Sequence, residues 1–317
     1  MKIHHDIHTH TFTSSCCDAV DATPENYIRK AAELGHTTFG FSNHLWDESV
    51  DGASSFYRPQ SFAHILPEKD QIRALDNCGM KILFGAEVEY RGMCDILALR
   101  AANASVLDYV LIPHTHTHMR GFIIPEFHEL VEFRNEYADR IRAESPWMSD
   151  DTVKRMANSL QLKDMFPALQ CSQERYEKFV ADFMIQSYEQ LLANPEFEKL
   201  IRTLPVIIAH PFGPCGESRE SFMRICNMVD RDRLRKCFIT TAKLGVAFDI
   251  NICMFLFLDT IKTDPMVDIM RLAKECGVKF TFGTDAHSIQ MLSNIRSGDI
   301  ISDAIGMTED DLFDLVK

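Results

Sequence analysis

An α/β fold built on a mainly parallel sheet is predicted for this 317-residue chain by three observations. Short apolar runs rich in Val, Ile and Phe alternate with helical stretches, the pattern of βα units. Several helical stretches open on a capping residue followed by proline, or stop at a glycine. Histidines and acids follow almost every predicted strand, which places them at one end of the sheet, the side where such sheets and barrels bind ligands.

The first strand is Ile3–Thr11. Alternate side chains of a strand share a face, so His8 and His10 project together, with His4 on the same face and His5 opposite. Two neutral imidazoles so placed can clamp a divalent transition metal, although a histidine-rich strand can also be a solvated edge. A loop from Thr11 to Ala22 contains Ser14-Ser15-Cys16-Cys17-Asp18. Thr23 then caps a helix with Pro24 at its first position, and Gly35 ends it. Thr37–Ser42 is the second strand, running into Asn43-His44. Pro67-Glu68 opens a helix that ends near Gly79. Lys81–Ala86 is the third strand, delivering Glu87 and Glu89. A short helix over Asp95–Ala104 leads to a fourth strand, Val106–Pro113, which ends in His114-Thr-His116-Thr-His118.

From Pro125 to Arg202 the chain is charge-rich and helical, punctuated by Pro146, Pro167 and Pro195. The organisation expected is a single domain over 1–317 with a helical insertion at about 125–203, either covering the site or forming a structural layer. Val206–Ala209 is the fifth strand, followed by His210-Pro211. Val246–Asn251 is the sixth, Asp264–Cys276 a helix stopped by Gly277, and Lys279–Gly283 the seventh strand, running into Thr284-Asp285-Ala286-His287. Met307-Thr308-Glu309 resembles a last helix start.

Composition narrows the function. The chain is long enough for a large core, and its 46% hydrophobic content is ordinary for a globular protein. A formal net charge of −13 argues against a basic nucleic-acid footprint. It does not exclude an anionic substrate, because bound cations reverse the local field. No signal peptide is expected before the first strand, and the most apolar run, Ile252–Leu258, is far too short to span a membrane. Ten cysteines without a C-x-x-C pair read as reduced, mostly apolar fillers, and the expected compartment is the cytoplasm.

His, Asp and Glu without paired cysteines suit catalytic Zn, Fe or Mn better than a closed structural zinc site. At least eight candidate ligands exceed what one ion needs, so a cluster of two or three divalent ions is expected. Such a cluster holds a bridging hydroxide and clamps the oxygens of a displacement at phosphorus. The reading is metal-assisted hydrolysis, with phosphate esters as the favoured substrates.

The stretches Asp6-Ile-His8-Thr-His10-Thr, Phe41-Ser-Asn-His44, Gly85-Ala-Glu87, Ala209-His210-Pro211 and Gly283-Thr-Asp285-Ala-His287-Ser resemble, in order, the successive motifs of the polymerase and histidinol phosphatase (PHP) superfamily. The resemblance spans Ile3 to Ser288 apart from the helical insertion. It implies a distorted (β/α)7 barrel and commonly a trinuclear metal site. His8, His10, Glu87 and Asp285 would serve the most buried metals, with His44, His210 and His287 completing the cluster. About six residues after the second histidine, where the family has Asp or His, this chain has Cys16. Asp18 is the preferred ligand there and Cys16 its rival. The histidine after the fourth strand matches either His114 or His116; His116 is preferred, leaving His118 as a substrate contact or a bystander.

Arg91, Arg120 and Arg219 are candidates to hold a phosphate through forked hydrogen bonds, against the plainer reading of surface arginines. Asp249 and Asn251 either orient metal ligands or cap the following loop. Trp46, Phe56 and Tyr57 wall a pocket or pack a core. A nucleophilic Cys16-Cys17 is the weakest idea. The function expected is a histidinol-phosphatase-like phosphatase acting on a small phosphorylated metabolite. Its rivals are a phosphodiesterase or exonuclease of the same family, an amidohydrolase, and a non-catalytic metal-binding regulatory module.

Overall fold

The computed structural model describes residues 1–116, 130–160, 173–214, 217–255 and 258–317. Seven strands run side by side: β1 (His5–Asp6), β2 (Thr38–Phe41, resumed at His44–Leu45), β3 (Lys81–Phe84, resumed at Ala86–Val88), β4 (Val110–Pro113), β5 (Val206–Ala209), β6 (Ala247–Asn251) and β7 (Lys279–Gly283). Each pairs in parallel with the next, in registers that include His5 with Thr38, Phe41 with Phe84, His44 with Glu87, Ala86 with Val110, Pro113 with Ala209, Phe248 with Ile208 and Asn251 with Gly283. The chain after β1 closes the ring against β7. Ile7 N donates to Phe282 O at 3.2 Å, Asp285 N to His8 O at 2.8 Å, and His10 N to Ala286 O at 2.9 Å. The fold is a distorted (β/α)7 barrel. Its distortion lies in the two-residue β1 and in the interruptions of β2 and β3.

The interior explains one interruption. Tyr109, fully buried just before β4, crosses the barrel and donates its hydroxyl to Ile7 O at 2.6 Å and Phe41 O at 3.2 Å. A Cβ on Gly40 would meet the Tyr109 hydroxyl at 2.5 Å, and one on Gly85 would meet its ring at 2.5 Å. Both glycines are where the barrel wall must admit that ring.

The outer helices follow the sequence signals where caps were legible. Thr23 caps α1 (Pro24–Leu34), and Gly35 terminates it at φ 81°. Glycine suits that left-handed position because it carries no Cβ. α2 (Phe62–Ala74) corrects the expected start at Pro67, which lies inside the helix. There it removes only one backbone donor, close to the N-terminal end. The short helix expected over Asp95–Ala104 is instead an antiparallel ribbon, Tyr90–Arg91 with Ile96–Leu97, followed by a 3-10 turn, Ala101–Val106.

Within 125–203 the described helices are α3 (Leu130–Glu144), α4 (Asp150–Ser159), α5 (Gln173–Ala193) and α6 (Pro195–Leu200). Packing divides them. α5 buries Tyr176, Val180, Met184, Tyr188 and Leu191 in the main core, so it is part of the barrel's outer layer. α3 and α4 form a small core of their own from Ala138, Ile141, Val153 and Ala157. α7 (Arg219–Met228), α8 (Arg231–Leu244), α9 (Pro265–Glu275) and α10 (Ser297–Ile305) complete the layer. Thr308 caps only a 3-10 turn, Glu309–Asp311. The eight described cysteines are free, and among the described residues no helix is long and apolar enough to cross a membrane.

Candidate metal centre

Strand direction puts the polar ends of β1 to β7 at one mouth of the barrel. There the extended run after β1 carries His8 and His10, both buried, with ring centroids 5.3 Å apart. Glu87 is the point on which the others converge. Its Oε2 lies 3.5 Å from His8 Nε2, 3.3 Å from His10 Nε2 and 3.2 Å from His44 Nδ1. Its Oε1 lies 3.1 Å from His210 Nε2 and 3.7 Å from His116 Nε2. Asp285 Oδ1 stands 3.6 Å from His8 Nε2 and 3.2 Å from His10 Nε2.

The ligand-type atoms fall into overlapping groups in which all atoms lie within 4.8 Å of one another: His8, His10 and Glu87; Glu87, His116 and His210; His44, Glu87 and Glu89; and His10, Cys16 and His287. His8 Nε2 and His10 Nδ1 are buried without a hydrogen-bond partner. Leaving polar atoms so is costly unless something else satisfies them. Imidazole nitrogens facing carboxylate oxygens are a donor set suited to Zn, Mn or Fe. The residues therefore fit divalent cations.

A further layer fixes which nitrogen faces inward. Asp249 Oδ2 lies 2.8 Å from His8 Nδ1, so a carboxylate holds the proton on that side and turns Nε2 toward Glu87. Glu89 does the same for His116, with Oε2 2.8 Å from Nδ1, and its Oε1 is 3.2 Å from His44 Nδ1. Asn251 Nδ2 donates to Asp285 Oδ2 at 3.2 Å while its Oδ1 accepts from Cys253 N, so it both orients a carboxylate and caps the loop. Asp6 accepts from the Thr284 backbone and hydroxyl, tying β1 to β7 beneath the site. His210 and Asp285 sit at positive φ, 30° and 53°, backbone positions that side chains rarely adopt and that cluster at functional sites.

The electrostatics follow from charge packed away from water. Burial alone would depress His8, but Asp285, Glu87 and Asp249 override it and raise its pKa well above the ordinary range. Glu87 and Cys16 do the same for His44. Burial would raise Glu87 and Asp285, yet the neighbouring imidazoles hold both carboxyls far below the usual range. Burial would likewise raise the Cys16 thiol. The charges of His44 and His10 and a bond to His287 bring it down to about 4. Carboxylates and imidazoles thus hold one another's charge in the cluster, and metal binding at such sites releases protons from its ligands.

Eight residues named from the sequence are brought together here: His8, His10, His44, Glu87, His116, His210, Asp285 and His287. Asp18, the preferred ligand from the sequence, is not brought to this cluster by any contact among the described residues. Asp18 is exposed, whereas Cys16 Sγ lies 3.0 Å from His287 Nε2. Two successive turns cause this: Ser14 N bonds Thr11 O, Cys17 N bonds Ser14 O, and Gln60 Oε1 holds Ser15 N. His114 also stands apart. Its ring is buried against Tyr188 and Phe212, its Nε2 accepts from Phe212 N, and burial drives its pKa down to about 3.

Arg91 donates to Gly52 O at 2.7 Å, and Arg219 opens α7 with its charge acting on Asp264. His118 and Arg120 lie outside the described residues. The strand parity that grouped His4 with His8 fails because only two residues of β1 are regular: His4 is exposed and bonds Gly35 O, while His5 is buried and accepts from Phe282 N. Trp46 is core, its indole donating to Val50 O, whereas Tyr57 packs edge-on against His44 at 5.6 Å. Glu89 is the member to which the sequence assigned no role. Its spacing of two from Glu87 was the available signal, since it shares that residue's face.

The PHP domain family model matches residues 6–192. Among solved structures, the fold is similar to a histidinol phosphate phosphatase from Lactococcus lactis crystallised with zinc, L-histidinol and phosphate. That match has a TM-score of 0.54 and 17% identity over 96% of this chain and 94% of that one. A putative histidinol phosphatase from Listeria monocytogenes is similar with a TM-score of 0.51 and 14% identity, over 91% of this chain and 97% of that one. No curated protein matches. The family match and the buried His, Asp and Glu cluster support a metal-dependent phosphoesterase. Since the matched segment takes in more than half of the sequence, including the motifs around His8, His44 and Glu87, the chain belongs to the PHP domain family.

Proposed function

We propose that the protein is a metal-dependent phosphatase that hydrolyses a small phosphomonoester, with a substrate of the histidinol phosphate class. The observation that carries this reading is Glu87, whose two oxygens face separate groups of buried imidazoles, as a carboxylate shared between neighbouring cations does. The ligands proposed are His8, His10, Cys16, His44, Glu87, His116, His210, Asp285 and His287. Two or three Zn, Mn or Fe ions held there would supply a hydroxide at neutral pH and positive charge against the phosphoryl oxygens.

The chain's own part is preorganisation. Asp249 and Glu89 fix the rings of His8 and His116, and Asn251 fixes the carboxylate of Asp285. Arg91, Arg219, His118 and Arg120 are the groups proposed to contact the phosphate. The chain acts as one catalytic unit, with α3 and α4 as its accessory part. A small substrate suits the acidic composition better than a nucleic acid does.

The test is phosphate release by the purified protein supplied with Zn or Mn. An aryl phosphate monoester should be hydrolysed, a bis-aryl diester more slowly, and a panel of phosphorylated metabolites should rank the natural substrate. Strong diester turnover with negligible monoester activity refutes the proposal.

A further inference from the structure

We infer that Cys16 supplies a thiolate ligand to the most solvent-exposed cation position of the cluster, so that this position selects zinc-like ions over manganese. The inference rests on the metal-dependent reading above and concerns one residue of it.

The geometry is specific. Cys16 Sγ, His10 and His287 offer ligand atoms that all lie within 4.8 Å of one another, and Sγ is 3.0 Å from His287 Nε2. Sulfur and nitrogen held by one tetrahedral zinc, at bond lengths of about 2.3 and 2.0 Å, sit about 3.5 Å apart. The observed pair, in hydrogen-bond contact at 3.0 Å, has to open by only about 0.5 Å to reach that spacing. The second observation is independent of the cysteine. Nδ1 of the buried His10 lacks a hydrogen-bond partner, and the ring lies 4.6 Å from that of His287 and 4.7 Å from that of His44.

The loop is built to present the sulfur. Gln60 holds Ser14 and Ser15, and Ser14 Oγ in turn accepts from His44 N and lies 3.4 Å from Sγ. The adjacent Cys17 is turned away, its thiol donating to His287 O at 3.1 Å. Oxygen ligands at this point would suit manganese, whereas a soft thiolate favours zinc, iron or cobalt. The sequence motifs alone leave that selectivity open, and the thiol decides it.

Cobalt is the probe. The full-length protein, stripped and reloaded with Co(II), should show visible ligand-field bands together with a near-ultraviolet sulfur-to-cobalt charge-transfer band. The charge-transfer band should be lost in Cys16→Ser and retained in Cys17→Ser. Cys16→Asp is the second variant, able to keep an anionic ligand. It should lower the preference for zinc over manganese, read by competitive loading and elemental analysis, by at least about tenfold. A cobalt-loaded wild-type protein without the charge-transfer band overturns this inference and leaves the metal-dependent reading standing, as does a band that persists in Cys16→Ser. Failure to bind cobalt at all, with no ligand-field bands, overturns both.

Discussion

The packing of Tyr109 through the barrel gives a prediction whose size can be worked from distances. In Gly85→Ala the new Cβ would lie 2.5 Å from both Cε1 and Cζ of Tyr109 and 2.8 Å from Cδ1. Ordinary carbon contacts begin at about 3.5 Å, so the ring or the strand must retreat by roughly 1 Å. The ring cannot do so freely, because its hydroxyl is bound to Ile7 O at 2.6 Å and Phe41 O at 3.2 Å in a fully buried setting. Overpacking of this kind costs about 1–3 kcal/mol, and a buried carbonyl left without its donor costs about 1–3 kcal/mol more. The expected loss is therefore about 2–6 kcal/mol, measured by denaturant unfolding. Because Gly85 lies two residues before Glu87, bound metal should fall as well. Tyr109→Leu, made alone and together with Gly85→Ala, gives the control: the glycine substitution should cost much less when the ring is absent. A Gly85→Ala protein within about 0.5 kcal/mol of the parent would show that the ring does not fill the wall as described.

Two other outcomes are expected. Asp249→Asn keeps the shape beside His8 Nδ1 but removes the charge, so zinc affinity measured by chelator competition should fall about 10–100-fold; unchanged affinity would remove Asp249 from any orienting role. Away from the site, Arg224 bonds Glu177 through two contacts of 2.8 Å, and this pairing, aided by Gln173 and Ser221, holds the buried carboxyl below its ordinary range. A depressed carboxyl stabilises the fold above its unfolded pKa and loses that contribution as pH falls through its folded value. Arg224→Ala should therefore be less stable than the parent at pH 7 and converge toward it under acid, read as Tm against pH; a parallel offset at every pH would contradict this linkage.

Much of the architecture was legible because its signals are local. Thr23-Pro24 with Gly35, Asp264-Pro265 with Gly277, and the Val206–Ala209 run each specify an element within a few residues of sequence. Pro67 misled because a proline near the beginning of a helix and one at its first position look alike without the preceding turn. The site was legible for a geometric reason: parallel strands deliver their final residues to one mouth, so His44, Glu87, His210 and Asp285 could be grouped without knowing the strand order. What stayed hidden depended on loop geometry. The placement of Cys16 beside His287, with Asp18 left exposed, is set by two turns and by Gln60, forty-four residues further on. His116 was separable from His114 only through partners far away, Glu89 for the one and Phe212 for the other.

The central claim is that Glu87 is shared between cation positions on either side of its carboxylate. Elemental analysis of the zinc-loaded protein and of Glu87→Gln tests it most directly. The parent should hold two or three ions per chain, and the variant should lose more than one of them while remaining folded. A Glu87→Gln protein that keeps the full complement, or a parent that binds one ion or none, would contradict the account.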